Sequence, residues 1–307
     1  MSCRRASSES ASELVRLFVE RSPVDTQDPL ESMCFHVRKL RADATRAGSK
    51  PPFEAVLHLR HIDDPEYDDG LSCDGCLVPK GRAYADGFRM LLRSGAPRAR
   101  TRFTFAHEIC HSFFYEIVPE IKFSEHSTDD EEERLCNTGA AELLMPADSI
   151  QRDADGRAMS LSTLTSLASE YGVSVDAMLT RLRGLRIWSC ELTVWHRLTN
   201  GRFACDRKLG GINHPGWQWL DPSVLEGVWN EPKAHSQSGR VFVSFTDDQG
   251  RDYSTLVYYE AQRRGGAVFA LWSRRKMPKA ASLLFRKQAR RSKSDPPSGS
   301  GLLDRVS

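Results

Sequence analysis

The stretch FTFAHEICHSFF, residues 103–114, places His107, Glu108 and His111 within five positions. Four residues is just over one helical turn, so on a helix the two imidazoles face the same way and can bind one ion. Glu108 then lies one position round the helix, beside the ion rather than on it. A general base must sit there to take a proton from metal-bound water. The flanking Phe103, Phe105, Ala106, Ile109, Cys110, Phe113 and Phe114 suit a buried helix. A core helix whose two histidines are satisfied by hydrogen bonds would show the same pattern. On the first reading His107 and His111 are metal ligands and the chemistry is metal-assisted hydrolysis.

Catalytic zinc usually has three protein ligands and an open fourth position. The acidic stretch EEERLCNTGAAELLMP, residues 131–146, can supply the third. Glu133 and Asn137 are again four apart, so Glu133 can bind the metal while Asn137 hydrogen-bonds a ligand histidine from behind. Glu132 is rotated about 100° away by the helical repeat. It is expected to point off the shared face, with Glu131 further round and solvated. Ala140, Ala141 and Leu144 carry that face into the core. The layout resembles that of gluzincins, in which a glutamate on a later helix follows HExxH.

Taken together, the two stretches resemble one family, the ImmA/IrrE metallo-endopeptidases. The chain has RFTFAHEICH from Arg102 to His111, like the family's RFTLAHELGH, and ERLCNTGAAELLMP from Glu133 to Pro146. The likeness spans roughly residues 70 to 185. Thr138-Gly139 departs from the family's pattern, which has a phenylalanine at the second position. The resemblance implies an α+β, zincin-like core holding Zn2+ on His107, His111 and Glu133, with Asn137 supporting and Glu108 as the catalytic base. It also implies cleavage of a protein substrate, such as a helix-turn-helix transcriptional repressor in stress or mobile-element regulation. Tyr115, Arg102 and His126 are candidates for stabilising the oxyanion by their nearness to the motif. The stretch GFRMLLRSG, residues 87–95, is expected to be the sheet edge on which an extended substrate pairs.

These residues need elements to hold them. SASELVRLFVERS (10–22) fits an amphipathic helix, and DPLESMCFHVRKLRADATRAG (28–48) fits another, with Asp28 as N-cap and Gly48 as stop. FEAVLHLRHI (53–62) alternates and reads more as strand than helix. The acidic helix runs from about 129 to 145 and ends at Pro146. Residues 160–184 read as two helices joined at Gly172, with a helix-turn-helix texture, and similar helix pairs follow the core in the resembled family. A DNA-reading second helix should present Arg, Lys, Asn or Gln; this one offers Asp176, Thr180 and Arg181. Nucleic acid is therefore the less favoured partner, and packing or substrate docking the favoured role. After Ile187 the chain turns β-rich, with a hairpin across Arg263 to Gly266. HPGWQWL and Trp188, Trp195, Trp229 and Trp272 suggest a stable core there.

The expected organisation is N-terminal helices at 1–50, a metallopeptidase core at 51–150, the helix pair at 151–186, a β-rich domain at 187–273 and a basic tail at 274–307. That tail carries nine Lys or Arg and no acid between Arg274 and Lys293 and reads as disordered. The 307 residues carry a net charge of +2, which hides this uneven distribution. No apolar run reaches the roughly 18 residues that span a bilayer, and the N-terminus lacks a signal-peptide core. The expectation is a cytoplasmic protein with no membrane partner; nothing in the pattern sets an oligomeric state. The eight cysteines then read as thiols. Cys73 and Cys76 form the one CxxC, without the second ligand pair that a structural zinc site needs. The competing function is a non-catalytic regulator that binds DNA or a protein through the helix pair or tail.

Overall fold

The computed structural model describes residues 8–46, 53–119, 130–210, 220–231, 236–246 and 252–274. His126, Gly48, the HPGWQWL stretch up to Trp219 and the basic tail beyond Arg274 lie outside the described residues. The fold is α+β, and the chain divides into two compact units. Met1–Asp155 with Ser166–Ile187 forms the first, and Gly156–Thr165 with Trp188–Ser307 the second.

The first unit is built on helices. α1 (Ser8–Arg21) and α2 (Pro29–Arg46) pack with α4 (Arg98–Ile117) and α5 (Asp130–Leu144). Asp28 caps α2 by accepting the Leu30 N–H at 3.0 Å, which satisfies one of the helix's free amides. Phe18, Met33, Val37, Ile109, Phe114 and Leu135 are buried between these helices. The stretch read as a strand at 53–62 is instead helix α3 (Phe53–Leu59). Val56 and Leu57 within it, and Arg60 one residue past its end, are buried. Spacings of three and four make a helical face that the local alternation concealed.

A three-stranded sheet lies in the same unit, in the order β1 (Glu66–Asp68), β3 (Phe88–Arg93), β2 (Gly75–Pro79). β3 therefore sits in the middle, parallel to β1 and antiparallel to β2. The segment expected to be an open edge is the sheet's centre, paired on both sides, with Phe88, Met90 and Leu92 buried on one face. β2 is the edge. Helices α6 (Ala147–Ala154), α7 (Leu161–Tyr171) and α8 (Val175–Gly184) follow, and Gly172 turns the chain between the last two at φ +65°. Arg181 of α8 bonds the Met145 carbonyl at 2.9 Å and pairs with the buried Glu142. Arg181 is thus engaged within the protein, and Arg183 is the other basic residue of this helix.

The second unit holds a five-stranded antiparallel sheet in the order β5 (Phe203–Leu209), β4 (Glu191–Arg197), β8 (Ala267–Ser273), β7 (Asp252–Arg264), β6 (Gln237–Thr246). β7 and β8 form the hairpin, with Gly265 at φ +59° in its turn. Trp195, Val257, Ala261, Val268 and Trp272 build its core with Leu225 and Val228 of α9 (Pro222–Asn230). Trp195 and Trp272 both donate their indole N–H to Thr193, at 3.0 and 2.8 Å.

Gly139 sets how closely α5 approaches its neighbours. A Cβ there would lie 2.6 Å from Cys110 Sγ of α4 and 3.0 Å from Met33 Cγ of α2. Glycine inside a helix costs up to about 1 kcal/mol of propensity, whereas overpacking a tight core costs roughly 1–3 kcal/mol. The second term is larger. Gly139→Ala should therefore destabilise the chain by about 1 kcal/mol or more despite its better helix propensity, read as a lowered urea midpoint with an unchanged slope. A raised midpoint would show that the α4–α5 contact is looser than described.

Candidate metal site

α4 presents His107, Glu108 and His111 from a helix whose other faces are packed, and Thr104, Cys110, Phe113 and Phe114 are buried around them. α5 lies against α4 and brings up Glu132, Glu133 and Asn137. The His107 and His111 Nε2 atoms approach to 3.0 Å. Glu133 adds its carboxylate, at 3.2 Å from His107 Nε2 and 3.6 Å from His111 Nε2. A tetrahedral ion with bonds of about 2.0–2.1 Å sets its ligand atoms about 3.4 Å apart. The three separations straddle that value.

The other nitrogen of each ring fixes its tautomer. His107 Nδ1 meets Asn137 Oδ1 at 3.1 Å, and His111 Nδ1 meets a Glu132 carboxylate oxygen at 2.8 Å. Both partners are acceptors, so both Nδ1 atoms carry the hydrogen. A ring with its hydrogen on Nδ1 alone aims a lone pair from Nε2, and both Nε2 atoms face the same point as the Glu133 carboxylate. Lone pairs held this close repel unless a positive charge lies among them. The His111 imidazole shows the same demand. Burial opposes its charging, but the hydrogen bond and charge of Glu132, then Glu108 and Glu133, outweigh burial and raise its pKa above the ordinary value.

Glu132 is the correction to the sequence reading. It does not point off the shared face; it is 1% exposed and bonded to His111. The arc by which one helix packs on another is at least about 100° wide, so residues rotated by that angle can both fall inside it. Glu131 stays outward, 39% exposed and within 4.0 Å of Arg134. A second cluster, His111, Glu132 and Cys136, also brings three potential ligands together. All three are buried, and burial holds the Cys136 thiol pKa well above its usual value. Binding there would break the His111–Glu132 bond and require a buried thiol to ionise. The His107–His111–Glu133 set faces a cleft and needs neither, so it is the better metal site.

That cleft has a volume of about 690 Å³ and is lined by α4, α5 and the edge strand β2. Glu108 faces it, 6% exposed. Burial raises its carboxyl pKa, against the lowering effects of His111, His107 and the Leu77 backbone N–H bonded to it. Of the candidate oxyanion stabilisers, Tyr115 lines the cleft. Arg102 does not line it; a guanidinium nitrogen lies 3.0 Å from where a Gly172 Cβ would stand. β2 was missed in the sequence because Gly75 and Pro79 are both poor strand residues. Its Leu77-Val78 pair was the available signal.

Comparison with known proteins bears on the same region. Residues 79–183 match the M78 peptidase family, described as an IrrE N-terminal-like domain. No curated protein matches the chain. A solved structure described as a Mycobacterium tuberculosis transcriptional regulator is similar at 15% identity, covering 85% of this chain and 79% of that one, with a TM-score of 0.41.

Metal retention should rank these side chains. Loss of a ligand costs far more than loss of a group holding a ligand, which typically costs about 10–100-fold. Glu133→Ala should lose the most metal on dialysis. Glu132→Ala and Asn137→Ala should each weaken binding by about 10–100-fold, and Glu131→Ala should leave it unchanged. Full retention in Glu133→Ala with complete loss in Glu132→Ala and Cys136→Ala would move the ion to the buried cluster.

Proposed function

With residues 79–183 forming an IrrE N-terminal-like domain of the M78 peptidase family, we propose that this protein is a zinc-dependent endopeptidase of narrow specificity. The observation that carries the reading is the convergence of two histidines, each backed at Nδ1 by an oxygen acceptor, and one carboxylate on a single point, with a buried glutamate beside it. His107, His111 and Glu133 would hold Zn2+, which supplies an activated water and a polarised carbonyl when bound. Asn137 and Glu132 orient the two imidazoles and increase their basicity.

Glu108 acts as the base. Its burial lifts its proton affinity toward that of a water on its way to hydroxide, which suits a group that accepts a proton and later delivers it to the leaving amine. The Leu77 N–H bonded to it fixes its position against the edge strand. Tyr115 is the candidate to steady the developing oxyanion.

β2 supplies the docking edge. Arg93 N–H donates to the Asp74 carbonyl at 2.8 Å and Lys80 N–H to the Gly87 carbonyl at 2.9 Å. By strand alternation Cys76 and Val78 also pair toward β3, so the carbonyls of Gly75, Leu77 and Pro79 face away from it, while the Leu77 N–H is taken by Glu108. An extended peptide can add there as a further strand. Such a site accepts an unfolded segment rather than a folded surface. A transcriptional repressor with an exposed linker, in a cytoplasmic setting, is the substrate class that the family relationship favours.

The alternative, a non-catalytic regulator binding nucleic acid, is less favoured, since Arg181 is engaged with Glu142 and the Met145 carbonyl and leaves Arg183 as the other basic residue of the second helix. Glu108→Gln should keep full zinc content, because Glu108 is not a ligand, yet lose cleavage by roughly the 10²–10⁴-fold of a general base or more. Near wild-type cleavage of a cognate repressor by this variant would remove Glu108 from the mechanism. Casein should be cut slowly if at all, and rapid digestion of it would contradict narrow specificity.

A further inference from the structure

Cys73 and Cys76 stand at the start of β2 and have no part in the metal site. Cys73 is exposed and Cys76 half-buried, and both are free thiols. Among the described residues no group of three potential metal ligands includes either of them. Burial, then the neighbouring Cys73, raises the Cys76 thiol pKa above its ordinary value, and both thiols line the cleft.

The bend that carries them is pinned. Arg93 donates to the Cys73 carbonyl at 3.0 Å and to the Ser72 carbonyl at 2.7 Å. Asp74 is held by Arg100 through Nε at 2.6 Å and by Arg93 at 3.7 Å. A bend already pinned in this way has less freedom left to lose when its ends are joined.

Cys73 also touches the docking edge. Its thiol donates to the Gly75 carbonyl at 3.1 Å. Gly75 is one of the residues whose backbone faces away from β3, so this carbonyl is one that a docked peptide's N–H would use. In the dithiol state the acceptor is already taken. A disulfide has no S–H to donate, and its formation draws the Cys73 sulfur toward Cys76.

We propose that Cys73 and Cys76 form a reversible redox site on the open edge of β2, oxidised by low-molecular-weight disulfides, and that oxidation frees the Gly75 carbonyl for substrate. The Cys73 thiolate attacks one sulfur of the small disulfide, forming a mixed disulfide and expelling one thiolate. The Cys76 thiolate then attacks the Cys73 sulfur, forming the Cys73–Cys76 bond and expelling the second. The protein loses two protons and two electrons, and the oxidant becomes two small thiols. Excess reductant runs the same exchange backwards. The effect on the edge rests on the peptidase reading above; the thiol chemistry does not.

The test uses the full-length, zinc-loaded protein titrated with glutathione disulfide and read by alkylation and peptide mass mapping. The expected product is a Cys73–Cys76 linked peptide that dithiothreitol reverses. In Cys76→Ser the exchange should stop at a glutathione adduct on Cys73. Wild-type protein that accumulates glutathione on Cys73 without the internal bond, or that stays reduced where Cys76→Ser is modified, overturns the redox site. On the same samples the oxidised form should cleave a cognate repressor with a KM several-fold lower than the reduced form. An equal KM in the two states overturns the link to the edge. Absence of cleavage in both states would count against the peptidase reading, and the thiol mapping would still decide the redox site.

Discussion

The separation between α4 and α5 is the constraint on which the site depends. His107 and His111 come from one helix and Glu133 from the other, so no local sequence feature fixes the distance among the three. It is fixed by packing. Gly139 lets α5 lie against Cys110 and Met33 closely enough that any side chain there would collide. Protein interiors are packed like organic crystals and do not stretch smoothly, so a glycine several residues along the helix governs ligand atoms 3.0–3.6 Å apart. The phenylalanine that the resembled family carries at this position would meet the same contact: there is no room for one.

Electrostatics completes what packing begins. Two acceptors behind the imidazoles hold both in one tautomer, and the carboxylates of Glu108, Glu132 and Glu133 surround them. A buried carboxylate such as Glu132 is costly to desolvate unless it is paired. Here its partner is His111, which in turn is favoured when a positive charge stands at its other nitrogen. A cation held there would offset the cost of burying the acid and so couple metal binding to the stability of the α4–α5 pair.

Much of this was legible in the sequence, for identifiable reasons. Helical periodicity put His107 with His111, and Glu133 with Asn137, because i and i+4 residues share a face whatever the tertiary structure. The structure brings these four together. Glu132 was misplaced because the helical repeat gives an angle between neighbours but not the width of the buried arc, which belongs to the packing partner. The edge strand was misplaced for a similar reason. GFRMLLRSG reads clearly as a strand, but its central place comes from β1 and β2, both short and one of them broken by Gly75 and Pro79. The 53–62 stretch was read by its two-residue alternation, while burial of Val56, Leu57 and Arg60 follows the helical period. Long-range partners decided each of these cases.

The most direct measurement is the location of the ion itself, by anomalous diffraction at the zinc edge on crystals of the zinc-loaded full chain. The account predicts one strong peak bonded to His107 Nε2, His111 Nε2 and a Glu133 oxygen at about 2.0–2.2 Å, with Asn137 and Glu132 still behind the two Nδ1 atoms. A peak among His111, Glu132 and Cys136, or no peak between α4 and α5 at full zinc loading, would contradict it.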